Sequence, residues 1–209
     1  MSKMENEILA VQSKDVSEIT KACIENNGFK LFENEEEYEE LLNISLTKQR
    51  GKLENDSSYK QIIPYLMMLY KNKIFYYIRA QGGNEARLHN KLSIGVGGHI
   101  EIEDTESPDE TIRHALIREA QEEIGENINL SNIYPLGFIY TEQSEVDQVH
   151  LGILFVGDIL NEDINVNHEE VGENGFLNKQ EMDKLMHNGN YTPENWTRIA
   201  WCMAQELIN

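Results

Sequence analysis

The stretch Arg118–Gly125 constrains the fold of this chain more than any other part of its sequence. It reads Arg-Glu-Ala-Gln-Glu-Glu-Ile-Gly and places Glu119, Glu122 and Glu123 at positions i, i+3 and i+4. On a helix, side chains at this spacing lie on one face. The apolar residues of this stretch fall on a different face, which suits packing against a sheet: Ile117, Ala120 and Ile124. The pattern therefore predicts an amphipathic helix with a strongly acidic face.

Like charges at this spacing destabilise an isolated helix by roughly 0.2–0.5 kcal/mol per pair. A divalent cation would convert that repulsion into coordination, because hard cations such as Mg²⁺ prefer carboxylate and phosphate oxygens. The alternative is a solvated acidic face, which is common in a chain whose net charge is −19. The octapeptide alone does not decide between a metal site and a solvated surface.

Residues upstream of the helix extend the pattern. Gly97-Gly98-His99-Ile100-Glu101 is followed by a polar loop, then by Glu110, and then by a helical run into Arg118. Together with Glu119, the Glu122-Glu123 pair and Gly125, these residues resemble the Nudix box. That motif consists, in order, of Gly, five residues, Glu, seven residues, Arg-Glu, an apolar residue, any residue, Glu-Glu, any residue, Gly and an apolar residue.

The chain departs from the box pattern at two places. Eleven residues (99–109) separate Gly98 from Glu110 where the family has five, and the loop 102–107 holds the insertion. The final apolar place holds Glu126. Two acids therefore compete for the role of the first glutamate, Glu110 by its spacing from Arg118 and Glu106 by its resemblance to the loop.

The resemblance implies an α+β fold of the α/β/α sandwich type, with a mixed sheet between helices. Residues 61–209 would form the Nudix domain, preceded by an N-terminal α/β extension over residues 1–60. Two β-rich runs, Ile62–Tyr70 and Lys73–Arg79, are joined by Lys71-Asn72 and predict a hairpin. Ser107-Pro108-Asp109-Glu110 is a helix-start signature, and Gly125 a stop signal, so a helix is expected from Ser107 to about Ile124. The last helix is expected to start at Thr192-Pro193-Glu194, with a buried stripe of Trp196, Ile199, Ala200, Met203 and Leu207.

In function, the resemblance implies metal-dependent hydrolysis of a nucleoside diphosphate linked to another moiety. Glu119, Glu122 and Glu123 would hold Mg²⁺ or Mn²⁺, helped by a backbone carbonyl of Gly97 or Gly98. Arg118 would orient Glu119, because a guanidinium pairs carboxylates through two donors. Glu122 is the first candidate for the general base, and Glu170, in the acidic segment 168–173, is the second.

Candidates for substrate binding lie outside the acidic helix. Arg79 and Arg87 are candidates for binding the substrate phosphates, although exposed solubilising arginines are the default interpretation. Glu110 is a further candidate, and it can equally be a capping acid at the helix start or an ion-pair partner of Arg118. The family reads its leaving group through loops outside the box, here expected at 80–91, 142–147 and 167–175.

The composition of the chain limits which binding partners and which cellular compartment are expected. A net charge of −19 argues against a nucleic-acid polymer, whose phosphates need lysine and arginine. The only cysteines, Cys23 and Cys202, are far apart, so no disulfide framework is expected and a reducing cytoplasm fits. No run approaches the roughly 20 apolar residues of a membrane span, and no signal peptide is recognisable. Residues 1–60 are expected to cover the sheet, to form a homodimer contact or to shape a substrate pocket, and these alternatives remain open.

Two rival functions use the same fold. A non-catalytic Nudix-like domain would bind a nucleotide or sugar phosphate as a regulator, and the insertion before Glu110 favours it. An isomerase would need a catalytic cysteine, and neither Cys23 nor Cys202 is near the box in sequence. The presence of all three box acids favours the hydrolase.

Overall fold

The computed structural model describes residues 3–34, 36–82, 88–104, 107–125 and 128–208, which form an α+β fold. The helices are α1 (Ser17–Glu25), α2 (Glu36–Asn43), α3 (Arg50–Leu53), α4 (Pro108–Glu123), α5 (Glu145–Gln148), α6 (Lys179–His187) and α7 (Asn195–Ala204). The strands are β1 (Glu7–Gln12), β2 (Phe29–Leu31), β3 (Leu46–Gln49), β4 (Tyr59–Tyr70), β5 (Lys73–Arg79), β6 (Lys91–Ser93), β7 (Gly95–Gly97), β8 (Leu130–Ile139), β9 (His150–Ile159), β10 (Val171–Leu177) and β11 (Thr192–Pro193). The hydrogen-bonded order along the main path is β11-β6-β5-β4-β9-β8-β2. In these ranges no helix has the length and apolar character that crossing a membrane requires.

The chain forms two compact units. The first consists of Met1–Tyr65, Gly97–Ile117 and Pro135–Leu154, and the second of Leu66–Val96, Arg118–Tyr134 and Phe155–Asn209. The elements β4, β7, β8, β9 and α4 contribute residues to both units. The acidic end of α4 belongs to the second unit, and the residues that contact it below belong to that unit as well.

In the first unit, the N-terminal strands pair with strands that come later in the chain. β1 is antiparallel to β3 and to the start of β4, so that Ala10 lies opposite both Leu46 and Gln61. β2 is antiparallel to β8, with Phe29 opposite Ile139. The apolar residues of β1 are buried, namely Ile8, Leu9, Ala10 and Val11. A separate domain with its boundary at residue 60 stays a prediction.

In the second unit, the hairpin predicted at Lys71-Asn72 is confirmed. β4 and β5 are antiparallel, with Tyr70 opposite Lys73, and Lys71 has a φ of 54°. β5 is also antiparallel to β6 and to β10, whereas β6 is parallel to β11. The sheet is therefore mixed, and the predicted α+β class is confirmed.

Helix α4 is formed where the sequence predicted it. The backbone N–H of Thr111 donates to the carbonyl of Ser107 at 2.8 Å, which places the first turn directly after Ser107. The helix ends at Glu123, one residue before the predicted end, and Gly125 follows with a φ of +156°. A Cβ at Gly125 would overlap the carbonyl oxygen of Asn165, so this position requires glycine.

Two expectations about local structure were wrong. The predicted loop 142–147 contains the start of α5, because the Ser144 side chain accepts a hydrogen bond from the N–H of Asp147 and caps a short helix. The last helix starts at Asn195, and Thr192–Pro193 is instead a strand that pairs with β6. The buried residues of this last helix, α7, are Thr197, Ala200, Trp201 and Ala204, which form a stripe rotated from the predicted one.

Candidate active site

The three box glutamates lie in the last turns of α4 and differ in exposure. Glu119 is buried, at 9% relative exposure. Glu123 is half-buried, and Glu122 is exposed. The shared helix face thus runs from the protein interior to solvent, which gives each carboxylate a different environment.

Arg118 contacts two of these carboxylates. Its Nη1 donates to Glu119 Oε1 at 2.8 Å and lies 3.5 Å from Glu122 Oε1. The Arg118 side chain is partly exposed, at 25%, so its ion pairs are open to solvent screening. The contact with Glu119 is the one that the resemblance implied for an orienting arginine, and the orienting role itself stays a prediction.

The Glu119 carboxyl has a perturbed pKa. Burial raises the pKa of Glu119 to about 7, against the opposing effect of the Arg118 charge, and the negative charges of Glu123 and Glu122 raise it further. Ionising this carboxyl is costly even with Arg118 beside it, and further positive charge would lower that cost. A divalent cation would supply that charge, and three carboxylates within five residues form the oxygen-rich donor set that Mg²⁺ and Mn²⁺ prefer. The residues therefore fit such a cation.

The carboxylates of the three box glutamates do not converge on a single point in this structure. Over the ranges that the structure describes, no group of three or more His, Cys, Asp or Glu side chains has metal-binding geometry. Glu119 and Glu123 each accept hydrogen bonds from an arginine instead. For the three carboxylates to meet at one ion, the side chains of Glu119, bound to Arg118, and of the exposed Glu122 would have to rotate towards Glu123.

Glu123 is held from strand β5. Arg79 Nη1 donates to Glu123 Oε1 at 3.1 Å and to Oε2 at 3.3 Å. The Tyr77 hydroxyl lies 3.1 Å from Glu123 Oε2. Arg79 and Tyr77 are two residues apart on the strand and therefore point to the same face.

Arg79 also contacts a second carboxylate. Its Nε donates to Glu194 Oε1 at 2.7 Å, and the hydroxyl of Ser93 lies 3.3 Å from Glu194 Oε2. Although burial disfavours the charge, the carboxylates of Glu123 and Glu194 raise the pKa of Arg79 well above its ordinary value. A role for Arg79 in binding substrate phosphates stays a prediction. No sequence signal linked Arg79 to Glu194, since they are 115 residues apart.

The C-terminal end of α4 is closed by Asn167. Its backbone N–H donates to the carbonyl of Ile124 at 2.6 Å, and its Nδ2 donates to the carbonyl of Glu122 at 2.9 Å. These bonds satisfy carbonyls that a helix end leaves without partners. The sequence did not predict that Asn167 closes the end of α4, because the only functional signal in this segment was its acidic residues.

The other residues predicted for the site include Glu110, Gly97 and Gly98. Glu110 is exposed near the start of α4 and accepts a hydrogen bond from the Ser107 hydroxyl at 2.7 Å. Gly97 ends β7, where a Cβ would come within 2.8 Å of the Pro64 carbonyl oxygen, and Gly98 follows it outside any strand. Arg87 and Glu106 lie outside the described residues.

Glu170 lies at the turn before β10. Its carbonyl accepts a hydrogen bond from the N–H of Ala80 at 2.9 Å, and its own N–H donates to the carbonyl of Asn167 at 3.1 Å. The backbone of Glu170 is thus tied both to the end of β5 and to the residue that closes α4. Its role as a general base stays a prediction.

An α+β fold with a mixed sheet, and a helix that ends in three clustered glutamates paired with arginines, define the Nudix hydrolase class. The family model described as the NUDIX domain matches residues 71–201. The chain belongs to this family.

This chain is similar to known proteins. The protein YmaB of Bacillus subtilis (strain 168) is 42% identical over 108 residues, which cover 51% of this chain and 52% of YmaB. The match thus spans about half the length of that relative. The crystal structure of Tm1382, a putative Nudix hydrolase, has a TM-score of 0.77 and 26% identity, and the match covers 96% of this chain and 99% of Tm1382.

A more distant structure shares the fold alone. The NUDIX domain of Shewanella oneidensis NrtR, solved in complex with ADP-ribose, has a TM-score of 0.54 and 9% identity. The match covers 72% of this chain and 89% of that domain.

Proposed function

We propose that this chain hydrolyses a phosphoanhydride bond in a nucleoside diphosphate linked to another moiety, with Mg²⁺ or Mn²⁺ as cofactor. The observation that carries the proposal is the group of Glu119, Glu122 and Glu123 at the end of α4, with Arg118 bound to the first two. The ADP-ribose complex of the Shewanella domain makes a nucleotide-derived substrate the first choice.

Different residues of the chain have different roles in the proposed reaction. Glu119, Glu122 and Glu123, with a backbone carbonyl of Gly97 or Gly98, would hold the metal. When bound, the metal neutralises charge on the diphosphate and polarises a water. Arg118 orients Glu119 through the 2.8 Å hydrogen bond.

The general base must be a carboxylate that the attacking water can reach. Glu122 is exposed, and it accepts the proton of the attacking water in our proposal. Glu170 is the second candidate for this role. Arg79, Arg87 and Glu110 are candidates for binding the substrate.

The test is release of phosphate or of a nucleoside monophosphate with Mg²⁺ and then Mn²⁺. The substrates would be ADP-ribose, dinucleoside polyphosphates, NADH, nucleotide sugars, coenzyme A and nucleoside triphosphates. Glu123→Gln should lower kcat by at least about 10–100-fold, because loss of a metal ligand should cost no less than loss of a residue that orients one. The exposed Glu206→Gln is the matched control and should keep wild-type activity. Full activity in Glu123→Gln would remove the box from the mechanism.

The second candidate is a non-catalytic domain that binds a nucleotide or sugar phosphate. The observation that favours it is the insertion of residues between Gly98 and Glu110. Thermal stabilisation by ADP-ribose with no product formed would support this alternative. Product formation by the wild-type protein would exclude it.

We place the protein in the cytoplasm, on the grounds that Cys23 and Cys202 are both free thiols. A homodimer contact through residues 1–60 is retained as a proposal. Sedimentation of the purified protein would measure its oligomeric state directly.

A further inference from the structure

Arg79 connects the acidic end of α4 to the start of α7. Its side chain is only 12% exposed and forms ion pairs with Glu123 on one side and Glu194 on the other. Arg79 closes strand β5, Glu123 closes α4 and Glu194 precedes α7. All three residues belong to the second compact unit.

The two carboxylates use different edges of the guanidinium. Glu194 takes the Nε hydrogen at 2.7 Å, and Glu123 takes Nη1 at 3.1 and 3.3 Å. The guanidinium is planar and rigid, so a carboxylate that fixes one edge also fixes the direction of the other donors. The Arg79 guanidinium carbon lies 5.3 Å from the centre of the Tyr77 ring, a cation–π contact that further restricts it.

Glu194 is the anchored end of this arrangement. It is 6% exposed, and its backbone N–H donates to the carbonyl of Leu92 at 3.0 Å. Its carbonyl accepts the N–H of Arg198 in the first turn of α7 at 3.1 Å, and its Oε2 lies 3.3 Å from the Ser93 hydroxyl. Both the main chain and the side chain of Glu194 are therefore held by neighbouring elements.

The charge balance of the three side chains favours a cation at Glu123. One guanidinium faces two carboxylates, so the cluster keeps one net negative charge. Glu194 is the more buried carboxylate and has the shorter hydrogen bond to Arg79, so Glu123 is the carboxylate that interacts more weakly with the guanidinium. Glu123 is thus oriented without being fully neutralised.

We propose that Arg79 is a positioning residue, which Glu194 holds in place so that it sets the orientation of Glu123 for metal binding. Neither Arg79 nor Glu194 needs to touch the metal or the substrate for this role. The inference rests on the proposed function, because it assigns Glu123 to the metal.

The test compares Arg79→Lys and Glu194→Gln with the wild-type protein. An ammonium group cannot hold two carboxylates in the fixed directions of a guanidinium, and a glutamine keeps the size of Glu194 without its charge. Mn²⁺ affinity would be measured without substrate by electron paramagnetic resonance, and kcat and KM would be measured on the best substrate.

We expect each variant to weaken Mn²⁺ binding by about tenfold and to lower kcat by about 10–100-fold, the range seen for outer-shell partners of metal ligands. In Glu194→Gln, KM for the substrate should change by less than about twofold, because this variant alters no group that is proposed to contact the substrate. Glu162→Gln is the matched control, since it removes a charge from the exposed ion pair with Lys73 in the same unit. It should behave as the wild type.

Several outcomes would overturn the inference. A raised KM in Arg79→Lys with unchanged Mn²⁺ affinity would make Arg79 a substrate ligand. Wild-type values in Glu194→Gln would end the role of Glu194, and this variant decides the matter if Arg79→Lys fails to fold. Equal Mn²⁺ affinity in all proteins would overturn the inference alone. Mn²⁺ binding without hydrolysis would overturn the proposed function alone, and no Mn²⁺ binding by the wild type would overturn both.

Discussion

At the scale of single residues, Gly125 tolerates an added Cβ least among the glycines that the structure describes. Its φ of +156° and its contact with the Asn165 carbonyl leave no room for a Cβ. We expect Gly125→Ala to destabilise the protein by roughly 1–3 kcal/mol, because the backbone must shift to remove the overlap. For a chain of this length that lowers the melting temperature by about 2–4 °C per kcal/mol, which thermal unfolding by circular dichroism would measure.

Gly175→Ala is the control for that prediction. A Cβ at Gly175 would meet only the Tyr76 ring, at an ordinary 3.5 Å. Its melting temperature should stay within about 2 °C of the wild type, since a substitution that makes only an ordinary contact changes stability by about 0.5 kcal/mol or less. Equal melting temperatures for the two variants would contradict the close contact at Gly125.

The two cysteines should differ in reactivity. Burial raises the pKa of the Cys23 thiol to about 12, whereas Cys202 is exposed. Only the thiolate reacts, so native protein at about pH 8 should show one reactive thiol and denatured protein two. A disulfide reagent that releases a coloured thiol would count them, and two rapid reactions in the native protein would contradict the burial of Cys23.

The same shift predicts a pH dependence of stability. The folded-state pKa of Cys23 lies above its unfolded value of about 8.5. The contribution of the protonated thiol is therefore complete below about pH 8.5 and is lost as the pH rises towards 12. Denaturant melts at pH 8 and pH 10 should show a smaller pH effect in Cys23→Ala than in the wild type.

At the scale of elements, the end of α4 depends on a residue that follows β9. Asn167→Ala removes the hydrogen bond from Nδ2 to the Glu122 carbonyl, and we expect a loss of about 1 kcal/mol. Backbone amides in the last turn of α4 should also exchange with solvent faster, because the helix end frays more easily. Hydrogen exchange followed by mass spectrometry would locate the change.

Asn174→Ala is the matched variant for this element. Its Nδ2 donates to the nearby Gly172 carbonyl at 3.0 Å on an exposed part of β10. It should leave exchange in α4 unchanged. Similar exchange of α4 in both variants would mean that Asn167 does not close the helix.

At the scale of the whole molecule, residues 1–60 supply strands to the first compact unit. β1 pairs with β4 and β2 pairs with β8. We expect deletion of residues 1–60 to leave the edges of β4 and β8 that pair with β1 and β2 without partners, and so to promote aggregation. Size-exclusion chromatography and circular dichroism would measure this, and a monodisperse folded remainder would instead support a separate N-terminal domain.

Much of the candidate site was predictable because its signals are local. The spacing of Glu119, Glu122 and Glu123 follows from helical geometry, and Ser107 and Gly125 mark the helix ends by short-range chemistry. The buried stripe of α7 is rotated from the predicted one, since both Trp196 and Trp201 belong to plausible apolar stripes. Burial of Thr197 and Trp201 was decided by the packing around the helix.

The sequence by itself determined the family, the acidic helix and the β4–β5 hairpin, because each depends on residues close together in the chain. Only the tertiary structure brought Arg79 to Glu194 and Asn167 to the end of α4. Contacts across 115 and 45 residues leave no periodic trace in a single sequence. They form because buried charges and helix-end carbonyls need partners, and the fold decides which residue is near enough to provide them.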